Sequence, residues 1–268
     1  VAVGTWSGAD TTAVDWDQAH TVSADSDSKQ IGRPWKSGDS TYCLYVSGDP
    51  AIEVDNSVSG NDVDITDITI IGDDSGTLIH AGADDEDANS LSFTRCHLGY
   101  ATARTEECIV EYDCREYPAP DETIEFEQCG FFNVGGAIVF HDDSTVDLTI
   151  NFNSCSGYRI GYNGSKHDGA WVDIENGYDV EDTINACNCN LAATESYVFS
   201  AETGDHEANV DLCLTSKTSG NLTGTDDDAS WTENTNGNGF GYSFIDGTPT
   251  DIFSQVVYED TTTAPYDL

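Results

Sequence analysis

The stretch TIEFEQCGF at residues 123–131 contains a pattern that returns along the whole chain. Its apolar residues fall at positions i, i+2, i+5 and i+7, starting from Ile124. Steps of two residues are typical of a strand with one buried face, and the three-residue step requires a bend between two strands. Further copies stand at 63–70, 91–98, 150–155, 184–191 and, more weakly, 208–213. Copies that start roughly 25–35 residues apart predict a repeat architecture.

A further strand-like segment follows each bent pair. These segments are 76–82, 107–113, 136–142, 169–175 and 196–202, and 41–48 is interpreted as an earlier copy. Three short strands per period match one coil of a parallel β-helix, in which coils stack about 4.8 Å apart. We therefore predict an all-β fold: a single-stranded right-handed parallel β-helix with about six coils and capping segments at both ends.

The chain divides into three predicted parts. Residues 1–40 are expected to cap or dock the N-terminal end, with a short amphipathic helix at 11–20 as one option, and residues 41–217 to form the β-helix. Residues 218–268 are expected to supply a last coil, a loop and a capping tail, with 219–241 interpreted as a long loop. The proposed capping side chains are Trp231, Phe240, Tyr242, Phe253 and Tyr258.

One position of the repeat is occupied by cysteine in five copies. The predicted inward column is Ile68, Cys96, Cys129, Cys155, Cys189 and Cys213. Free cysteine packs as a small buried apolar residue, although one or two disulfides between coils, or one between Cys108 and Cys114, stay open. Cys187 and Cys189 are expected to point the same way. A zinc site is disfavoured because no histidine stands at partner spacing.

The charge balance excludes several classes of partner. Nine Lys and Arg residues stand against fifty Asp and Glu residues, which gives a net charge of −41. Such a surface repels nucleic-acid phosphates and anionic membranes, and no apolar run is long enough for membrane insertion. A hydrophobic content of 38% argues against a disordered acidic chain. The composition favours a folded protein of halophilic source, because salt screens the self-repulsion.

Aligned copies of the third strand place acids in a second column, which contains Asp113, Asp142, Glu175 and Glu202. Carboxylates on neighbouring or alternate coils would lie about 5 or 10 Å apart, distances that bracket those in glycoside hydrolases. If the protein is an enzyme, the catalytic candidates are Asp113, Asp142, Asp143 and Glu175. A solvated acidic face is the alternative interpretation, and the prediction leans away from an enzyme.

Two acidic segments are candidate cation sites. Asp84, Asp85 and Asp87 form one, and Asp226, Asp227 and Asp228 form the other. Both are expected in loops, where carboxylates could bind Ca²⁺ or Mg²⁺ loosely. Neither has EF-hand spacing, and no other cofactor is predicted.

The order of the parts carries a family resemblance. GTWSGADTTAVDWDQAH at 4–20 precedes IGRPWKSGDSTYCLYVSG at 31–48, DITDITI at 64–70 follows, and FIDGTPTDIFSQVVYEDTTTAPYDL closes the chain at 244–268. With the cysteine-bearing coils, this order resembles the β-helix proteins of tailed viruses, which serve as head-decoration, fibre or tailspike components.

The resemblance implies an extracellular structural protein of the virion surface. It also implies a homotrimer, other virion proteins as partners, and a host-surface glycan as a further candidate partner. The chain departs from tailspike enzymes because it is short and lacks their catalytic set. The alternatives are a glycan-active β-helix hydrolase that uses the acidic column, and a secreted or cell-surface binding module of the halophile itself.

Overall fold

The computed structural model describes residues 20–23, 43–46, 50, 52–54, 63–72, 76–81, 90–100, 108–113, 122–142, 144–161, 168–175, 180–193, 196–217 and 219–240. These residues form parallel strands and one short 3-10 turn at Ser219–Asn221. No helix in these ranges is long and apolar enough to cross a membrane.

The strands, numbered in chain order, occupy three recurring positions. First-position strands are β1 (His20–Ser23), β4 (Val63–Thr66), β7 (Leu91–Thr94), β10 (Glu122–Glu127), β13 (Leu148–Asn153), β16 (Thr183–Cys187) and the second part of β18 (Tyr197–Asp211). Second-position strands are β2 (Cys43–Val46), β5 (Thr69–Gly72), β8 (His97–Tyr100), β11 (Gly130–Val134), β14 (Ser156–Ile160), β17 (Asn190–Leu191) and β19 (Leu214–Thr215). Third-position strands are β3 (Ile52–Val54), β6 (Ile79–Ala81), β9 (Val110–Tyr112), β12 (Val139–Asp142), β15 (Gly169–Glu175) and the first parts of β18 and β20 (Thr223–Asn236).

Each strand pairs in parallel with the strand at the same position in the neighbouring turn. The second-position sheet runs β19-β17-β14-β11-β8-β5-β2 within the described residues. The first- and third-position strands join into one sheet because β18 continues from one position into the other. The chain is therefore a parallel β-solenoid, and the predicted parallel β-helix is confirmed.

Aromatic side chains fill the interior in register. Phe126 lies between Phe93 and Phe152, with ring centroids 4.9 and 5.2 Å apart and nearly parallel planes. Trp171 meets Phe152 edge-on at 5.0 Å and donates its indole N–H to the carbonyl of Ala192 at 2.9 Å. Because identical positions stack on each other, every turn buries the same columns of apolar area.

A left-handed residue makes the bend that the three-residue step predicts. The residue after each first-position strand from β4 to β18 has φ between +53° and +59°; these residues are Asp67, Arg95, Gln128, Ser154, Asn188 and Leu212. One such residue reverses the alternation, so the next side chain points inward again. The expectation that Cys187 and Cys189 point the same way is therefore wrong. Asn188 lies between them, and Cys187 is exposed while Cys189 is buried.

Two segment assignments need correction. Residues 43–46 pair with β5, so the segment at 41–48 occupies the second position and not the third. Much of the predicted loop at 219–241 is strand β20, which pairs with β18 along both of its parts. The described stack thus includes β1 at its N-terminal end and β20 at its C-terminal end. Residues 1–19, 24–42 and 241–268, which contain most of the predicted caps, lie outside the described residues.

Candidate functional site

The acidic column lies on the outer face of the third-position strands. The register pairs Asp142 with Glu175, and Asp113 and Glu202 continue the row on either side. Asp113, Asp142 and Glu175 are partly buried, and Glu202 is exposed. Asp143 lies outside the described residues. The structure thus brings three of the four candidate catalytic acids into one row, at strand spacings of about 4.8 Å.

The neighbours of this row are engaged locally. His80 Nε2 lies 3.2 Å from Asp113 Oδ1, and Thr77 donates to the carboxylate of Glu111 at 2.7 Å. Phe140 is partly buried and lies opposite Glu111 in the register. The row therefore has paired carboxylates and an aromatic neighbour. One open cleft among the described residues lies elsewhere, lined by Asn209, Asp211, Glu233, Asn234, Thr235 and Asn236.

A buried carboxylate contacts the residue next to Asp142 and links groups from neighbouring turns. Asp182 Oδ2 lies 2.7 Å from His141 Nδ1, and both side chains are 0% exposed. Because a carboxylate only accepts, His141 must donate from Nδ1. The second oxygen of Asp182 accepts the backbone N–H of Leu148 at 2.8 Å. The Nε2 atom of His141 is buried without a hydrogen-bond partner.

A second histidine extends this buried cluster. The backbone N–H of Asp182 donates to Nδ1 of His206 at 3.1 Å, and Nε2 of His206 lies 2.6 Å from the carbonyl of Thr203. His206 is buried against the ring of Trp231, with centroids 5.1 Å apart. We call His141, Asp182 and His206 the histidine corner. It joins β12 to β16 and β18.

An Asp–His pair of this kind orients the general base in acyl-transfer enzymes. Here the pair is sealed in the core, so no substrate reaches the imidazole, and its role is to hold the turns together. Asp182 was not among the predicted site residues. Its signal was available, because Asp182, Ile184 and Ala186 stand in phase with the inward Leu148, Ile150 and Phe152.

The cysteine column does more than fill space. Cys189 Sγ accepts the backbone N–H of Cys155 at 3.3 Å and donates to the carbonyl of Phe152 at 3.4 Å. Cys213 does the same for the N–H of Cys189 and the carbonyl of Ala186. We call this arrangement the thiol clamp. It gives a partner to the N–H that follows the bend, and the carbonyl that receives the thiol belongs to a residue inside a paired strand.

In the last described turn, an asparagine makes the contacts that a cysteine makes in the turns before it. Asn238 accepts the N–H of Cys213 at 2.8 Å with Oδ1 and donates from Nδ2 to the carbonyl of Val210 at 2.7 Å. Asparagine at this position thus supplies one donor and one acceptor on a short side chain, as cysteine does in the turns before it. The hydrogen bond with Cys155 raises the pKa of the Cys189 thiol to about 12, and burial raises the pKa of Cys129 well above its usual value. Both thiols stay protonated and can donate.

Among the described residues, the cysteines of the column form no disulfides, and neither does Cys108. Of the disulfide alternatives, the pairing of neighbouring coils is thus wrong for the described column. Cys114 lies outside the described residues.

An asparagine ladder runs along the outer face of the first-position sheet. Asn185 donates to Asn151, Asn209 to Asn185 and Asn234 to Asn209, each at 2.9 Å. All three bonds point the same way along the stack. The ladder fixes the register on the outside as the clamp does at the bend.

The candidate cation segments have different outcomes. Asp84, Asp85 and Asp87 lie outside the described residues, so a site there stays a prediction. Asp226, Asp227 and Asp228 belong to strand β20 and not to a loop. Among the described residues, no group of three or more His, Cys, Asp or Glu could hold a metal ion.

No protein-family model, curated protein or solved structure matches this chain.

Proposed function

We propose that the chain is a structural protein of an extracellular surface, and specifically a surface component of a virion from a halophilic source. The observation that carries the proposal is the continuity of the stack. Thiol clamp, asparagine ladder and aromatic column each link successive turns, so the side chains with distinctive chemistry are used to hold turns together. Such a stack is a stiff rod that suits display or capsid decoration.

The charge supports the same proposal. A net charge of −41 on a well-packed protein favours an environment in which salt screens repulsion between carboxylates. The partners expected for this role are sister chains, with a homotrimer favoured, and other virion proteins. The end segments that lie outside the described residues contain most of the predicted docking residues, so the docking contacts stay predictions.

The decisive experiment examines particles from the natural source. Mass spectrometry of virus particles purified on a density gradient should identify this chain, and cryo-electron microscopy should place it at fixed symmetry positions. A trimer would appear as three equivalent rods. If the chain is absent from purified particles and is recovered instead as a soluble monomer in the medium, the virion proposal is wrong.

A second candidate function is glycoside hydrolysis, which the row of Asp113, Asp142 and Glu175 favours. A glycan-cleavage screen of the wild type would test it, with Asp142→Asn and Glu175→Gln as variants. If either residue is a general acid or a nucleophile, the variant that replaces it should be less active than the wild type by about 10²-fold or more. The matched control is Glu125→Gln, an exposed acid on the first-position sheet. Equal activity in all four proteins, or no activity in the wild type, would exclude this candidate.

A further inference from the structure

The histidine corner fixes the protonation state of His206. Its Nδ1 accepts the N–H of Asp182 at 3.1 Å, so this nitrogen carries no proton. Its Nε2 lies 2.6 Å from the carbonyl oxygen of Thr203, which can only accept, so this nitrogen carries the proton. The folded corner therefore requires a neutral imidazole in one tautomer.

A second proton would break the contact. Protonated Nδ1 would face the N–H of Asp182, so a hydrogen bond would be replaced by two opposed donors at 2% exposure. Among the described residues, the carboxylate of Asp182 is held by His141 and by the N–H of Leu148. The flanking acids Asp205 and Glu207 accept from Ser230 and Asn234.

The charged and aromatic groups of β20 do not replace the lost bond. Glu233 accepts a hydrogen bond from Thr223. The ring of Trp231 is tilted 40° to the imidazole and does not present its face to it. On β12, His141 uses Nδ1 on Asp182, and a proton on its Nε2 would lie in the core without an acceptor. Both histidines of the corner thus oppose a second proton.

The hydrogen bond that protonation removes, between the N–H of Asp182 and Nδ1 of His206, lies where the pairing of β16 with β18 begins. The next contact along is the N–H of Glu207, which donates to the carbonyl of Asp182 at 2.9 Å, and the pairing of the two strands continues from there. Gly204, with φ of +94°, packs so closely on the carbonyl of Val180 that an added Cβ would lie 2.2 Å away. Because the backbone is packed this closely, we expect the contacts of the corner to be kept or lost together.

We propose that the histidine corner is an acid-sensitive latch: protonation of His206 releases it from Asp182 and opens the C-terminal turns formed by β18, β19 and β20. The equivalent position in earlier turns carries no imidazole, because it is Leu148 in β13 and Glu122 in β10. The middle of the solenoid therefore keeps its pairing under the same acidification. This inference is independent of the proposed virion role, because it concerns the chain itself.

The sign follows from proton linkage. Histidine in an open, solvated segment titrates near pH 6.5, so opening takes up one proton below that pH. The open fraction should then rise about tenfold for each further unit of acidification. Stability from this corner is present above pH 6.5 and is lost as the pH falls. Acidification also neutralises carboxylates in every turn. The effect of His206 is distinguished from this general effect by comparing hydrogen-exchange protection in the C-terminal turns with protection in the middle turns.

The test is hydrogen–deuterium exchange of the full chain at pH 7.5 and 5.5, at constant salt and corrected for intrinsic exchange rates. We expect peptides covering 180–187 and 203–211 to lose about tenfold in protection at pH 5.5, while 122–127 and 148–153 do not. His206→Asn keeps an acceptor close to the Nδ1 position without a titrating group, so its protection at 203–211 should be independent of pH. His80→Asn is the matched control and should behave like the wild type.

Two outcomes would overturn the latch. One is unchanged protection of 203–211 in the wild type at pH 5.5, and the other is an equal loss in wild type and His206→Asn. If His206→Asn does not fold, nitrogen-15 spectra of the wild-type imidazoles decide. The proposal requires a neutral His206 for as long as 203–211 is protected, and a protonated His206 in the protected state contradicts it.

Discussion

The two kinds of corner in this solenoid differ in how they are built. The bend between first- and second-position strands repeats in turn after turn, with one left-handed residue and one inward cysteine, as at Gln128 and Cys129. The corner that leads from a third-position strand into the next turn differs among the turns that the structure describes, and at Asp182 it holds a buried carboxylate between two histidines. A repeated corner is a structural rule of the fold, whereas a unique corner is where local chemistry can be placed.

The largest effect is expected at the unique corner, from Asp182→Ala. The change leaves the N–H groups of His141 and Leu148 without acceptors in the core. Each buried donor left unpaired costs about 1–3 kcal/mol, so the free energy of unfolding should fall by about 2–6 kcal/mol. Denaturant unfolding at fixed high salt measures it.

The control for this prediction is Glu181→Ala. Glu181 is exposed, and the contact of this residue with Asp147 is made by its backbone N–H, which the substitution keeps. A change within about 0.5 kcal/mol is expected for the control. A loss below 1 kcal/mol for Asp182→Ala would mean that the two N–H groups find other acceptors.

The repeated corner is broken by Cys189→Val and is kept by Cys189→Ser. Valine fills the space but leaves the N–H of Cys155 without its acceptor and removes the thiol donor from the carbonyl of Phe152, at a cost of about 1–3 kcal/mol. Serine retains a donor and an acceptor, so its cost should be smaller by about 1 kcal/mol. If valine is tolerated better than serine, the column is held by apolar packing alone and the thiol clamp is not needed.

These corners also separate what the sequence could predict from what it could not. The bend is readable because its spacing is the same in every copy, and the register of Cys129 on Cys155 follows from that spacing alone. The segment at 41–48 was assigned to the wrong position because its apolar residues fit either strand of the period. The two strand types differ only in their neighbours.

The histidine corner could be predicted only in part. Alternation marks Asp182 as inward, but it does not identify the turn from which a partner reaches it. His141 lies 41 residues earlier and His206 lies 24 residues later. Their meeting depends on the lengths of two irregular turns. The strand β20 was missed because TDDDASWTENTN has few apolar residues, and its pairing comes from the edge of β18 and not from its own pattern.

A smaller effect is expected on the outer face, at Asn185. Asn185→Ala removes two side-chain hydrogen bonds of the ladder, at about 0.5–1.5 kcal/mol each before solvent compensates for partial exposure. Asn185→Asp has the same shape, but it turns a carboxylate oxygen toward Oδ1 of Asn151. It should therefore cost at least as much as alanine at pH 7. Denaturant midpoints of the two variants measure this, and a smaller loss for aspartate would mean that the direction of the ladder carries no energy.

The smallest effect, and the one expected to stabilise the protein, concerns Leu212. This residue occupies the left-handed position of its bend with φ of +56°, and it is 62% exposed. The equivalent position in the next turn is Gly237, with φ of +68°. A left-handed conformation costs a non-glycine residue roughly 1–2 kcal/mol. Glycine avoids this cost, but it loses more conformational entropy on folding, which offsets part of the gain in stability.

Leu212→Gly should therefore raise the free energy of unfolding by about 0.5–1 kcal/mol, as measured by denaturant unfolding. Leu212→Ala is the matched control, because it removes the same exposed side chain and keeps the strained backbone. Alanine should give no gain. A gain with both variants would assign the effect to the exposed leucine side chain. A gain with glycine alone would mean that the bend tolerates Asp, Arg, Gln, Ser, Asn and Leu at a common conformational cost. The repeated corner would then be specified by the inward residue after the bend, and the bending residue itself would be free to vary.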